Sequence, residues 1–239
     1  MRAELLKIRS MPTPLWSGVA VLAAFVAGLA ITFIWGVGND LDSTVLIGLP
    51  TAIASIVLGV WVFGVEYGQN TMRRTVAADP DRVRLVLAKL GVVLILAAAV
   101  TALLYLLALP LYGLANSGHD FAFPADELLR QGASAVFGNL VYVLVGAAFA
   151  MITASMAGGM TAALVFIFVL DGIMSLIPKV GDYTFGLALA DVNEAIAGGA
   201  MEGAEGAGHS GGVALLVVAG WVAFLLALGA QRLIQSDVK

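Results

Sequence analysis

Residues 66–89 read Glu-Tyr-Gly-Gln-Asn-Thr-Met-Arg-Arg-Thr-Val-Ala-Ala-Asp-Pro-Asp-Arg-Val-Arg-Leu-Val-Leu-Ala-Lys, a polar stretch between two long apolar runs. Five of the twelve basic residues lie here: Arg73, Arg74, Arg82, Arg84 and Lys89. Asp79-Pro80-Asp81 has the form of a helix start, with an oxygen side chain at the cap and proline at the first helical position. The pattern predicts a short helix from Thr71 to Ala78 that ends at Asp79. A second helix begins there and runs into the apolar segment after Lys89. Two basic helices meeting at a bend make a compact knob at a membrane surface, a shape suited to receive a push from a soluble partner.

The rest of the composition agrees with a membrane setting. Hydrophobic residues make up 61% of the chain, charged residues only 12%, and the mean hydropathy is +1.00. A bilayer crossing takes about 20 apolar residues. Six runs meet that length, approximately Leu15–Val37, Val45–Val65, Leu90–Ala115, Ser134–Ala157, Thr161–Pro178 and Gly212–Ala230. Trp16, Trp35 and Tyr112 fall near run ends, where amphipathic rings favour the headgroup level. Pro50 and Pro110 each remove a backbone hydrogen bond and predict a kink. The start is a poor secretory signal, because its charged region reaches Arg9 and is followed by Pro12 and Pro14. Residues 1–11 instead form an amphipathic pattern, with Met1, Leu5, Ile8 and Pro12 on one side. Such a segment can lie in the interface plane, or can simply be a basic start that sets topology.

Basic residues orient the chain. With a cytoplasmic N-terminus, the inner segments hold ten of the twelve, leaving Arg130 and Lys179 outside. The positive-inside rule therefore places both termini and the 66–89 segment in the cytoplasm. The outer segments are acidic, including five carboxylates between Asp182 and Glu205. In the last outer loop, residues 179–211, Tyr183–Ala197 predicts short helices lying on the outer face. Gly198–Gly212 reads as a flexible, glycine-rich linker. Small residues recur at four-residue spacing in span one (Ala20, Ala24, Gly28) and span four (Gly146, Ala150, Ala154, Gly158). They suit either close packing within the chain or a subunit interface.

The knob resembles the conserved loop of ABC exporter permeases of the second type, the ABC-2 type permease family. The matching residues are Glu66, Tyr67, Thr71, Arg73, Thr75, Pro80, Arg82 and Lys89, in order and suitably spaced. Arg74 lies among them. Glu4-Leu5-Leu6-Lys7-Ile8-Arg9 also looks like that family's opening. The resemblance covers essentially the whole chain. It implies a single all-α integral membrane permease domain of six transmembrane helices over residues 1–239. An interfacial elbow helix would cover residues 1–14, and a cytoplasmic coupling helix would lie between spans two and three. It further implies two copies of a separate ABC ATPase carrying ATP and Mg, a second permease subunit that is identical or paralogous, and a drug, peptide or lipid-linked substrate. One departure is Gly158-Gly159-Met160, taken as the turn between spans four and five, where many members carry an arginine. A basic loop serving topology alone would explain the arginines, but not Glu66-Tyr67, the threonines or the Asp-Pro corner.

The chain has no Gly-x-x-x-x-Gly-Lys-Ser/Thr phosphate loop and no Gly-Lys pair, so ATP use requires a partner. It has no cysteine, which removes disulfides and thiolate chemistry. His119 and His209 fall in outer loops and receive no role, so no span offers a Ser/His pair or a His/Glu metal set. The expectation is a transport subunit rather than an enzyme, with no cofactor or metal of its own and no nucleic-acid partner. It would be multi-pass in the plasma membrane. Asp171 is the one carboxylate set deep in an apolar run, near the middle of span five. A charge there costs about 2.5–3.5 kcal/mol on insertion scales, so it should face protein or water, or be protonated. It marks either the translocation path or subunit interface, or a carboxyl bonded to Ser175, Thr161 or kinked backbone. The rival from another class is a non-transporting membrane sensor or assembly scaffold that docks a cytoplasmic partner through the knob. An ATP-independent carrier would want more intramembrane polar residues and an internal repeat, and no repeat is visible.

Overall fold

A computed structural model describes residues 43–69, 71, 82–115, 125–198 and 206–235. The expected elbow helix, the first span and residues Arg73, Arg74, Thr75 and Pro80 lie outside the described residues. The short helix expected over 71–78 lies almost wholly outside them too. Within them the architecture is all helical. Helix α1 is Ser43–Gly68, α2 is Arg82–Ala115 and α3 is Ala125–Thr153. Helix α4, Met156–Val165, passes through a π-helical turn, Phe166–Leu170, into the short α5, Asp171–Ser175. Helix α6 is Phe185–Ala197 and α7 is Gly211–Gln235. Five stretches are long and apolar enough to cross a bilayer: Thr51–Gly68, Val83–Leu103, Leu129–Thr153, Met156–Ser175 and Gly211–Leu233. That is the pattern of a multi-pass membrane protein. Helices α1 and α2 continue through Pro50 and Pro110.

Helix α3 is the axis. From Val141 to Met151 eight of the eleven positions are buried, including Val143, Val145, Ala147, Ala148 and Ala150. A helix that is apolar all round belongs in the middle of its neighbours. Lipid tails give apolar helices no hydrophobic reason to associate, so contact depends on backbones coming close. Two glycines permit that approach. A Cβ on Gly59 would collide with Val143 O, and one on Gly146 would collide with Ile56 O. The part of the expected small-residue face that lies in α3, Gly146 and Ala150, therefore packs inside the chain, whereas Ala154 and Gly158 fall beyond the end of α3. Gly146 meets α1, and a Cβ on Gly159 of α4 would come within 2.8 Å of Ala150 Cα. The corresponding face of span one lies outside the described residues.

The turn between α3 and α4 falls earlier than expected. It is formed by Ala154, with a φ of 51°, and by Ser155, whose hydroxyl accepts from Gly158 N at 3.2 Å. Thr153 supports it by donating to Phe149 O at 2.9 Å and to Ser155 O at 3.1 Å. Gly158, Gly159 and Met160 are thus in α4 and not in a turn. Ser155 was the usable signal, since serine is a strong N-cap.

One cluster of the core lies at the end where α1 finishes. Phe63, Val86, Leu90, Met151, Ala163 and Leu233 gather there from five helices. A second cluster at the other end joins α3 and α7 to α6, through Phe185, Ala188, Leu189 and Val192 against Val141, Val145, Val218 and Val222. The faces left exposed, such as Leu87, Ile95 and Leu106 on α2 and Leu216 and Phe224 on α7, are apolar and match a lipid environment.

These contacts distinguish two glycines by their surroundings. Gly146→Val should lower the unfolding free energy by about 1–3 kcal/mol, the usual cost of overpacking. Gly91, whose Cβ would meet nothing within 4 Å, should accept alanine without loss. Thermal unfolding of both variants in the same detergent checks this, and equal effects would contradict the α1–α3 contact.

Candidate functional site

The polar segment is tied to the bundle at both ends. Along α1 the buried positions Ala52, Ile56, Val60 and Phe63 follow helical spacing, and Glu66 continues the same stripe. Along α2 the stripe is Val86, Leu90, Val93 and Ala97, with Lys89 upon it. Each helix thereby carries one charge into the core. They meet there, with Lys89 Nζ 2.7 Å from Glu66 Oε1 and both side chains 1% exposed or less. Phe63, one turn before Glu66, puts its ring 5.8 Å from Lys89 Nζ. The ring face adds a cation–π attraction inside an apolar wall.

Around this pair the other matched residues fall as follows. Helix α1 closes with Gln69 N donating to Val65 O and Thr71 N to Glu66 O, both at 3.0 Å, so the chain turns immediately beyond the carboxylate. Tyr67 is partly buried against the core at this end. Arg232, in the last turn of α7, lies within electrostatic reach of Tyr67. Arg82 opens α2, and Arg84 is exposed one half-turn on. The structure therefore brings together Glu66, Tyr67, Thr71 and Lys89. A guanidinium of the short helix paired with Glu66, which a stiff bend would want, falls on Arg73 and Arg74 and lies outside the described residues. Among the described residues the partner seen is the Lys89 ammonium on the following span. Phe63 and Arg232 were not singled out; the signal for Phe63 was its place on the Glu66 stripe.

Asp171 is placed differently from expectation. The helix ends at Ser175, so Asp171 opens the final turn of its span instead of lying near the middle. Its carboxylate accepts the Gly186 N–H, 3.0 Å to each oxygen. Ser175, one of the hydroxyls expected to serve it, donates instead to Gly172 O at 2.8 Å. Thr184 occupies the N-cap position of α6, but its hydroxyl makes no cap bond. Asp171 supplies the acceptor from another helix in its place. A Cβ on Gly186 would strike Asp171 Oδ2, so the glycine makes room for the carboxylate.

The stretch expected as a flexible linker is anchored where it is described. Buried Asp191 accepts from Gly208 N and His209 N, each at 3.0 Å. His209 Nε2 lies 3.0 Å from Asp182 O, and its ring stacks on Tyr183 at 5.0 Å. Trp221 Nε1 donates to Tyr183 O at 3.0 Å. Residues 206–210 are therefore held onto α6, a correction to the linker reading. The helix expected within Tyr183–Ala197 is present as α6.

Among the described residues no group of three or more His, Cys, Asp or Glu side chains is placed to hold a metal ion. No family model, characterised protein or solved structure matches the chain.

The Glu66–Lys89 pair has a measurable consequence. Removing one partner of a buried pair leaves the other charge uncompensated and costs about 3–5 kcal/mol, whereas apolar replacement of both is often neutral. Glu66→Leu and Lys89→Met should each be strongly destabilising alone, and the double variant should regain most of the loss. A double-mutant cycle on unfolding in detergent reads this; simple additivity would remove the pair from the account.

Proposed function

We propose that the chain is the membrane-spanning permease subunit of an ATP-driven ABC exporter. In this reading the 66–89 segment is the coupling element. Two copies of an ATPase, carrying ATP and Mg, dock on it and on the same segment of a second permease, identical or paralogous. The substrate class is a drug, a peptide or a lipid-linked molecule. Both termini face the cytoplasm and the membrane is the plasma membrane.

The observation that carries the reading is the buried ion pair between the two ends of the segment. A coupling element works only if displacement applied to it enters the spans without being absorbed in a loose bend. Glu66 and Lys89 clamp the last turn of α1 to α2, two turns past the start of that helix, at 2.7 Å. A push on the intervening residues then moves both helices together. From α1 it passes into α3 across the Gly59 and Gly146 contacts, which are too close to slide. A partner drives such a shift only if it binds the two arrangements with different affinity, which is what ATP-dependent closure of a docked ATPase would supply.

Because Glu66 is buried in this pair, its removal mixes a folding defect with a coupling defect. Arg82 at the start of α2 is the cleaner probe. Arg82→Ala should assemble with the ATPase and retain ATP hydrolysis, while export and substrate-stimulated turnover fall. Assembly and export are to be measured separately in membranes. Wild-type export by that variant, or failure of the chain to co-purify with any ATPase, would favour the sensor or scaffold instead. The orientation is tested by single cysteines at Ser43, Gln69, Ser117 and Ser236, using an impermeant thiol reagent on intact cells. Gln69→Cys and Ser236→Cys should stay unlabelled, and labelling of Gln69→Cys from outside would sink both topology and coupling.

A further inference from the structure

At the end of the bundle remote from Glu66, α6 is fixed to two of its neighbours by several independent contacts. Ser134 of α3 donates to Asn193 O at 3.1 Å, and Gly138 packs against the Asn193 amide. Asp191 holds the strand of chain that leads into α7, and Trp221 of α7 holds Tyr183 O just before α6. Phe185, Ala188, Leu189 and Val192 are buried among α3 and α7 side chains. The connection to the α4–α5 span is of another kind. Up to Ile167 one face of that span is packed, with the Phe166 ring 5.4–5.7 Å from those of Phe149, Phe185 and Trp221. Beyond it Phe168, Val169, Leu170, Ile173, Leu176 and Ile177 are all exposed. The change from packed to unpacked coincides with the π-helical turn, where Asp171 N donates to Phe166 O five residues back. Among the described residues the Asp171 carboxylate ties α5 to α6, accepting the Gly186 N–H with the Phe185 N–H also directed at it.

We propose that Asp171–Gly186 is a releasable latch, which holds the α5 end of this span against a fixed α6 and, on opening, lets that end swing about the turn Phe166–Leu170. Three observations support a hinge at that place. Of the five described spans it is the least buried, with 17% of its residues buried against 56% in α3, so among the described residues little packing opposes its motion. A π-helical turn is a single-turn irregularity inside an α-helix, frequent at functional sites, and its conversion to α-helix would rotate everything beyond it. Such a rotation would carry Asp171 away from Gly186. The connection from α5 to α6 also holds Lys179 at a φ of 69°, the left-handed region that favours glycine, so its backbone is strained. The latch stands whether or not the exporter reading does.

The chain has no cysteine, so introduced cysteines are the only labelling sites. Spin labels at Leu176 and Glu194, both exposed, report the distance from the α5 end to α6. A control pair at Glu194 and Leu216 reports α6 against α7. Pulsed electron paramagnetic resonance on the full chain in lipid nanodiscs gives the distance distributions. The wild type should show a main short distance and a minor longer one for the first pair. Asp171→Ala should lose the short population, with the control pair unchanged. Should that variant fail to fold, Gly186→Ala takes its place, because the added Cβ displaces the carboxylate. A single wild-type population, an unchanged distribution in the variant, or equal broadening of the control pair would each overturn the latch.

Discussion

How near α1 and α3 lie to each other determines where everything else can go. In a bilayer the side chains of two apolar helices gain nothing by leaving lipid for one another, so association depends on contact area and backbone approach. Gly59 and Gly146 face carbonyl groups of the opposite helix at positions that admit no Cβ. With that contact made, α3 is surrounded. Val143 meets Val93 and Ala97 of α2, and Ala148 meets the α6 and α7 cluster. Ala150 receives Gly159 of α4. The order of packing follows from where side chains are missing more than from where large ones are present.

The ion pair does for α1 and α2 what the glycines do for α1 and α3, by the opposite means. Neither Glu66 nor Lys89 tolerates its site alone, since an isolated charge in a dry interior is too costly. Together they are tolerated, and they define a register. One helical turn is about 5.4 Å. Slipping α2 by a turn would separate charges that now lie 2.7 Å from each other and leave each among apolar side chains. An apolar pair of similar volume would fill the same space but would resist that slip far less. The stiffness this gives to the junction is the physical basis for reading the 66–89 segment as a transmitter of force.

Much of the architecture was legible because lipid imposes so strict a rule. Five expected spans coincide with described helices, and their extra length is where polar residues continue the helix, as Arg82–Lys89 continue α2. Individual partners were not legible in the same way. Projecting Glu66 and Lys89 onto their helical stripes would have shown both facing inward, and two inward charges of opposite sign predict each other. Asp171 was harder. Its partner is a backbone N–H fifteen residues on, and backbone groups leave no mark in sequence. Thr184 even supplied a misleading cue, being a good cap residue whose hydroxyl makes no cap bond. The glycines of the last loop misled for a related reason. Gly206 leaves room for the Asp191 carboxylate and Gly208 takes a φ of 76°, so both serve order in a stretch whose composition suggests none.

The two ends of the bundle solve the same problem with different tolerance for movement. At the Glu66 end, two full charges neutralise each other where neither reaches solvent, and separating them exposes both to apolar surroundings. That arrangement is all or nothing. At the α6 end, Asp171 and Asp191 each accept backbone N–H groups close to the boundary of the apolar layer. Hydrogen bonds to a charged acceptor contribute about 1.5–3 kcal/mol each, and water can replace a partner lost at such a boundary. Opening one therefore costs far less than pulling Glu66 away from Lys89. A structure so arranged resists relative motion of α1 and α2 where the polar segment joins them. Among the described residues its thinnest packing is at the far end of the α4–α5 span, where the Asp171 carboxylate is what ties the helix to α6.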